Sequence, residues 1–320
     1  MTYEAARSGC GLFDRADQGQ LEVAGSEAAV FLHNLSTHEI KGLAPWHGCE
    51  LFFCNVTART LAYGTLWRWP KEGKRDRFWL EVGAAQVAPL QHHLDRHLIS
   101  EDVELTDLTT AWAQLYLAGP HSRDVLTALD LNVSELRPMT FQALEGGGCL
   151  RHQEILGLPG YDLLVPAATL TDWRERFLAA GAKAGTAEEF DVLRVEAGTP
   201  RYGIDLDETT FAPEVNRIEQ TISYHKGCYL GQEPIVMARD RGIVQRKLVG
   251  LRLTELVPPK SKLFRDGKEV GWTTSCVRSP RLGPIGLAYL RRNVAEPGTA
   301  VEVEALGHRR MVEVAALPFE

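Results

Sequence analysis

The sequence is short of the features that carry a membrane span, a metal or a nucleic-acid duplex. No run in its 320 residues approaches the roughly 20 apolar positions that cross a bilayer. The N-terminus, MTYEAARSGCGLF, lacks a basic segment followed by an apolar one, so no signal peptide is expected. The six cysteines, at 10, 49, 54, 149, 228 and 276, form no C-x-x-C pair. A zinc site therefore has no support, no metal is expected, and reduced thiols in a cytoplasmic protein are the simplest reading. Positive charge is outnumbered as well, 35 Lys and Arg against 42 Asp and Glu. A net charge of −7 argues against a duplex as main ligand, because duplex affinity is largely phosphate neutralisation by Lys and Arg. The basic pairs Arg291–Arg292 and Arg309–Arg310 read as solvated faces. Gly146–Gly148 sits in no phosphate-loop motif, and no Ser/His nucleophile elbow is present. His93 and His97, four apart, are two ligands without a third.

What is present describes an ordinary folded protein. With 44% hydrophobic and 24% charged residues, the chain can bury a sizeable core, and its length suggests two or three domains. Strand-like runs at 20–23, 51–54, 60–69, 78–82, 113–118 and 160–165 mix with helix-like runs at 27–35, 86–97, 123–129, 171–180 and 190–197. Ser26 is a plausible N-cap for the first helix. Strict βαβ alternation is missing, which indicates α+β rather than a doubly wound sheet. Beyond about residue 245 the pattern changes to short β-type runs at 247–253, 263, 269–274, 285–290, 300–304 and 311–315, separated by Pro and Gly turns. That grammar predicts a small β-barrel or sandwich. A boundary is expected near 243–247, giving a first region 1–244, in two interleaved subdomains, and a C-terminal domain 245–320.

Two motifs can carry chemistry. In Lys226-Gly227-Cys228-Tyr229-Leu230-Gly231-Gln232-Glu233, flanking glycines leave the sulfur of Cys228 accessible. Lys226 and a helix starting near Leu230 would both favour the thiolate, so Cys228 and Lys226 are the catalytic candidates. The alternative is an inert buried cysteine. In Arg194-Val195-Glu196-Ala197-Gly198, followed by RYGIDLDE, Glu196 sits in an apolar helix-like run. Glu is rarely fully buried unless paired. Its carboxylate either accepts two N–H donors from a planar heterocycle or pairs with Arg194 or Arg201.

Together these motifs give a resemblance. KGCYLGQE looks like the cysteine signature of YgfZ-type proteins, and RVEAGTPRYGIDLDETTFAPE is similar to the corresponding stretch of the glycine-cleavage T-protein. GLFD with AAVFLHNLST, LAGPHSRDVLTAL, and the segments around Thr273–Ser275, Ile285–Tyr289 and Pro297–Thr299 extend the likeness over nearly the whole chain. The chain is thus similar to the YgfZ-like, folate-binding branch of the T-protein superfamily. The resemblance implies a ring of three subdomains around a central hole that binds tetrahydrofolate or a related folate. It implies that Glu196 holds the pterin, with Arg194, Tyr161, Asp162 and Lys226 as further cofactor-binding candidates.

There are departures. Ala62-Tyr63 stand where aminomethyltransferases carry paired aspartates, Ala16-Asp17-Gln18 replace an early Ser-His-Met, and Ser223–Lys226 replace an arginine-rich stretch. A one-carbon transfer needs an acid to manage charge on the folate nitrogen. The expectation is therefore an accessory protein that supports iron–sulfur enzymes, and in some bacteria tRNA modification, through Cys228. Folate and iron–sulfur proteins are its expected partners, with no duplex and no membrane. The alternative is a folate-dependent aminomethyltransferase using a displaced acid such as Asp17. A scaffold whose cysteine only packs is the third possibility.

Overall fold

In a computed structural model, which describes residues 2–242, 244–305 and 307–320, the chain forms two antiparallel-rich sheets and a closed barrel. The first half begins with helix α1 (Thr2–Ser8), strands β1 (Gly11–Asp14) and β2 (Gln18–Gly25), and helix α2 (Ala28–Leu35). β3 (Gly48–Cys54), β4 (Thr60–Glu72), β5 (Arg75–Gly83), α3 (Ala84–Asp95), β6 (Glu104–Asp107), β7 (Trp112–Ala118) and α4 (Ser122–Thr127) follow. Next come β8 (Phe141–Ala143), β9 (Cys149–His152), β10 (Gly160–Pro166), α5 (Leu170–Ala179), β11 (Lys183–Ala184) and α6 (Ala187–Glu196). Two further helices, α7 (Ile218–Thr221) and α8 (Gln232–Arg241), precede the barrel strands. These are β12 (Arg246–Arg252), β13 (Lys262–Arg265), β14 (Lys268–Ser279), β15 (Gly283–Arg291), β16 (Ala300–Ala305) and β17 (His308–Ala315).

One sheet has the order β3-β4-β5-β2-β6 and the other β11-β1-β7-β10-β9-β8. The first packs α2 and α3 over a core that includes Leu21, Leu32, Phe53 and Leu80. The second packs α4 and α5 over Leu117, Leu126, Leu163 and Phe177. β1 and β2 are only three residues apart and belong to different sheets, so Arg15–Asp17 bridge the two layers. The sheets also meet through a buried polar layer. Arg151 pairs with Glu81 and donates to Gln20 at 3.2 Å, Gln20 donates to Gln114 at 3.3 Å, and Gln114 donates to Asp162 at 2.7 Å. Beside it, Trp67, Trp69, Trp79 and Phe141 form a shared aromatic core.

The α+β class and the C-terminal barrel, ordered β12-β15-β14-β13-β16-β17, are those expected from the sequence. α8 ends at Arg241 and β12 begins at Arg246, and residue 243 between them, where the boundary is expected, lies outside the described residues. Ser26 is not the cap of α2. Its Oγ donates to Asp102 at 2.7 Å instead, which ties the start of the helix to the loop between α3 and β6, and Glu27 occupies the cap position. α8 starts at Gln232 after Gly231, whose φ of +83° suits glycine, and Pro234 falls in its first turn, where a missing N–H is harmless. No described helix is long and apolar enough to cross a membrane.

Candidate functional site

A cavity of about 610 Å³ opens between the β3–β5 part of the first sheet, α3, and the segment running from Phe190 to Arg217. That size suits a small organic ligand. The Arg15–Asp17 bridge forms its floor because the chain must cross there between layers. Leu61, Leu90, Ile155 and Phe190 give it apolar walls, and the Arg15 guanidinium lies 4.3 Å from the Phe190 ring centre.

Charged groups are arranged on these walls. Glu50 and Tyr63 are diagonal neighbours on β3 and β4, since Phe52 pairs with Tyr63 and Glu50 with Thr65. The Tyr63 hydroxyl donates to Glu50 Oε1 at 2.7 Å, and Arg217 grips the same carboxylate through Nε and Nη2. Burial drives the Tyr63 phenol well above its ordinary value, with Glu50 adding to the effect against the opposing Arg217, so it stays a proton donor. Asp17 receives Arg15 Nε at 3.0 Å and Gln18 Nε2 at 2.7 Å, with Arg201 at 3.3 Å. Burial alone would raise this carboxyl. Arg15, Gln18 and Arg201 outweigh it and hold Asp17 below the usual carboxylate range.

The cavity wall also holds unsatisfied polar atoms. Eleven buried side-chain nitrogens and oxygens have no hydrogen-bond partner among the described residues. Five of them belong to cavity-lining side chains: Arg15 Nη1, Gln86 Oε1, both ring nitrogens of His93, and Gln153 Oε1. Native interiors rarely leave such atoms unpaired, and these five lie behind the cavity surface rather than on it. Burial lowers the His93 pKa to about 4, which keeps the ring neutral.

Of the catalytic and cofactor-binding candidates Cys228, Lys226, Glu196, Arg194, Tyr161 and Asp162, only Arg194 lines the cavity, whereas Asp17, the displaced acid of the transferase alternative, lines it too. Even so, the Arg194 guanidinium is engaged, donating to Asp191, Asp205, Thr199 and Ser275, and so ties α6 to the barrel. Glu196 lies outside the cavity lining, on another face of α6. Its carboxylate accepts from Tyr3 Oη at 2.6 Å, from Ser279 Oγ, and from Arg7 at 3.0 Å. The pairing reading therefore describes it, with partners from α1 and the barrel rather than Arg194 or Arg201. Tyr161 and Asp162 alternate on β10 and are both fully buried away from the cavity. Tyr161 accepts from Arg123 and stacks on His152, while Asp162 belongs to the inter-sheet polar layer.

Lys226 and Cys228 lie on the loop before α8, away from the cavity lining. The three Nζ hydrogens reach the carbonyls of His33, Ser36 and His38 at 2.5–2.7 Å. An ammonium has three donors, so this set occupies all of them and none is left for the Cys228 sulfur. Lys226 thus caps the C-terminal end of α2 and pins the loop, a placement that favours a fastening role over thiolate stabilisation. Leu230 N adds a bond to Asn34 O. Cys228 is exposed, whereas Cys10, Cys49, Cys54 and Cys149 are buried and Cys276 half-buried.

Comparison with known proteins fits this geometry. The GCVT N-terminal domain family matches residues 2–223, and the glycine cleavage T-protein C-terminal barrel domain family matches residues 246–319. The chain belongs to the glycine-cleavage T-protein family. An aminomethyltransferase from Geobacillus kaustophilus (strain HTA426) is 30% identical over 329 residues, covering 99% of this chain and 89% of that protein. One from Desulforamulus reducens is 27% identical over 99% of this chain and 88% of its own length. A putative chloroplastic transferase of Arabidopsis thaliana is 28% identical over 94% of this chain and 69% of its own length. The crystal structure of glycine cleavage system aminomethyltransferase T from Bartonella henselae superposes with a TM-score of 0.88 over 100% of this chain and 88% of that one. At 22% identity it is a likeness of fold.

These relatives correct the expected function. An accessory role with iron–sulfur partners and tRNA modification rested on KGCYLGQE and on the missing aspartates. Relatives spanning the T-protein-like chain from end to end are named aminomethyltransferases, which favours the transferase alternative. Glu50, Arg217 and the α3 face were missed from sequence because nothing local distinguishes them; only the folded register brings Glu50 beside Tyr63.

Proposed function

We propose that this chain is a folate-dependent aminomethyltransferase, a one-carbon transferase of the glycine-cleavage type. Family membership and the names of its relatives support the class of reaction. The observation that carries the reading is Glu50. The aspartates missing at 62–63 are answered by a carboxylate from the neighbouring strand, held against Tyr63 by Arg217 on the cavity wall. The apolar walls suit a planar heterocycle.

A bound folate would supply the nitrogen that takes up the one-carbon unit. Glu50 then balances positive charge building on that nitrogen, and Tyr63 Oη passes the proton between ligand and carboxylate. Arg217 keeps the carboxylate oriented through two N–H bonds. Asp17, already surrounded by Arg15, Gln18 and Arg201, acts as a fixed anion rather than as the acid.

The test is methylenetetrahydrofolate formation from tetrahydrofolate and an aminomethyl-lipoyl carrier protein. Glu50→Gln should lower the rate by about 10²–10⁴-fold, the usual share of a positioned acid or base, while calorimetric tetrahydrofolate affinity stays near that of the wild type. Wild-type protein that neither binds tetrahydrofolate nor turns over would end the reading.

A further inference from the structure

The Glu50–Arg217 pair is assembled from a strand and a helix that are far apart in the chain, and the helix is too short to hold its place unaided. Arg217 stands at the N-terminal edge of α7, a single turn of four residues. Helices of this length are unstable in isolation, so the position of α7 depends on its ties to the rest of the fold. On the upstream side, Asn216 takes a φ of +64° and its Nδ2 donates to the Leu248 carbonyl on β12 at 3.2 Å. On the downstream side, Thr221 Oγ1 donates back to the Arg217 carbonyl at 2.6 Å. The Thr221 carbonyl is one of the last in the helix, and such carbonyls have no partner within it.

That carbonyl is met by Thr37, two residues beyond the end of α2. Thr37 Oγ1 donates to Thr221 O at 2.6 Å and accepts from Phe52 N at 3.0 Å. A hydroxyl has one proton, and the 2.6 Å contact takes it over the 3.3 Å contact to the Phe52 carbonyl. The Thr37 N–H serves the Phe52 carbonyl at 3.0 Å instead, and the Thr37 carbonyl accepts from Ser223 N at 2.9 Å. Phe52 is two positions from Glu50 on β3, so the two share a face. One hydroxyl therefore touches both the strand that carries Glu50 and the helix that begins beside Arg217. Thr37 and Thr221 are fully buried, so water does not compete for these bonds. The segment is braced from outside as well, because Lys226 Nζ holds the carbonyls of Ser36 and His38, on either side of Thr37, at 2.7 Å.

We propose that Thr37 is a positioning residue for the Glu50–Arg217 grip, its hydroxyl setting the approach of α7 to β3 at which the guanidinium meets the carboxylate through two bonds. The assignment rests on the reading of Glu50 as the carboxylate that balances charge during one-carbon transfer. Thr37 lies outside the cavity lining, so it acts through Arg217 and not on the ligand. Without the hydroxyl, the Thr221 carbonyl and the Phe52 N–H each lose a bond in a dry interior, and α7 moves to recover it. Two parallel N–H bonds to one carboxylate demand a fixed geometry, so a small shift of α7 loosens the grip.

The experiment uses Thr37→Val, which keeps the shape and removes the hydroxyl, and Thr37→Ser, which keeps the hydroxyl. Melting temperatures show that each variant is folded. The first readout needs no ligand. Phenylglyoxal modifies guanidinium groups, and Arg217 is 22% exposed on the cavity wall, within its reach but held by Glu50. Peptide mass spectrometry over a time course should show Arg217 labelled about tenfold faster in Thr37→Val, the equilibrium equivalent of one hydrogen bond. Thr37→Ser should stay near the wild type, and Glu50→Gln gives the rate for a released guanidinium. The second readout is turnover. Thr37→Val should lower kcat by about tenfold and leave the KM for tetrahydrofolate within about twofold, the pattern of a misplaced group that acts only in the transition state. In an Arg217→Met background Thr37→Val should cost nothing further, whereas a residue that only stabilises the fold costs the same in both. Unchanged Arg217 labelling in Thr37→Val overturns the proposal whatever the activity does. So does faster labelling with unchanged kcat, or a loss that Thr37→Ser does not restore. Wild-type protein that neither binds tetrahydrofolate nor turns over ends the folate reading instead, and the labelling still decides whether Thr37 sets the grip.

Discussion

Glu196 separates two accounts of the same residue most sharply. As a pterin holder, its replacement would weaken folate binding. As the structure places it, the carboxylate joins three parts of the chain: Tyr3 and Arg7 from α1, its own helix α6, and Ser279 from the barrel. Glu196 is 4% exposed and Tyr3 3% exposed, so Glu196→Ala strands two buried hydroxyls as well as removing the charge. Hydrogen bonds to a charged group contribute about 1.5–3 kcal/mol each. Arg7 is about one-third exposed and adds less. Since the three bonds share one acceptor and are not additive, a total loss of about 3 kcal/mol is expected. For a cooperative unit of 150–250 residues that corresponds to roughly 6–12 °C in Tm, and somewhat less here because the chain is longer. Tyr3→Phe should lose about half as much, and the double variant less than the sum of the two. The assay is urea unfolding with calorimetric folate titration on the same samples. A Glu196→Ala protein with an unchanged urea midpoint and a tenfold weaker folate affinity would refute the clamp and return the carboxylate to the ligand.

Two further outcomes follow from burial. Cys228 should be alkylated by iodoacetamide faster than the other five cysteines, because burial raises the Cys10 and Cys276 thiols to about 11 and the Cys54 thiol to about 12 while also shielding them. Peptide mass spectrometry over a time course reads the order, and faster labelling of Cys10 or Cys149 would contradict it. Asp162 gives a pH signature: burial, reinforced by Glu81, raises its pKa to about 7, against about 3.9 unfolded. Between those values the folded state holds the extra proton, so this group's stabilisation is present near pH 4 and is lost as pH rises to 7. Asp162→Asn imitates the protonated form, so its stability relative to the wild type should climb from pH 4 to pH 7 in urea titrations; parallel curves would show that Asp162 is ionised throughout.

The barrel was legible because its strands are short and punctuated: Pro258–Pro259, Asp266-Gly267 and Pro297-Gly298 fall between the runs that become β12 to β17. The two sheets were legible only as a mixture. Nothing in Asp14-Arg15-Ala16-Asp17-Gln18 announces that the chain changes sheets there, yet that crossing puts Arg15 and Asp17 on the cavity floor. Lys226 shows the limit of spacing arguments. Two residues from Cys228 it suggests a charge beside a thiol, but the side chain follows the nearest set of acceptors, and those are carbonyls at the end of α2. Glu196 shows the limit of a motif. A buried carboxylate must be paired, and sequence alone does not say whether its partner is a ligand or Tyr3, 193 residues away.

Under the proposed function, the missing aspartates are a lost residue without a lost function. At 62–63 the sequence reads Ala-Tyr, which from the sequence alone argues against charge management in a one-carbon transfer. In an antiparallel pair, side chains two positions off directly opposite still share a face and lie within reach of a long side chain. Phe52 opposite Tyr63 puts Glu50 on that same face, and Tyr63 Oη closes the gap with a 2.7 Å hydrogen bond. In that reading the carboxylate comes from the adjacent strand instead of the expected one, and Arg217, brought in by α7's approach to β3, holds Glu50 in place. What a transfer site needs is a carboxylate at a place in space, and a sheet offers more than one position in the sequence from which to reach it.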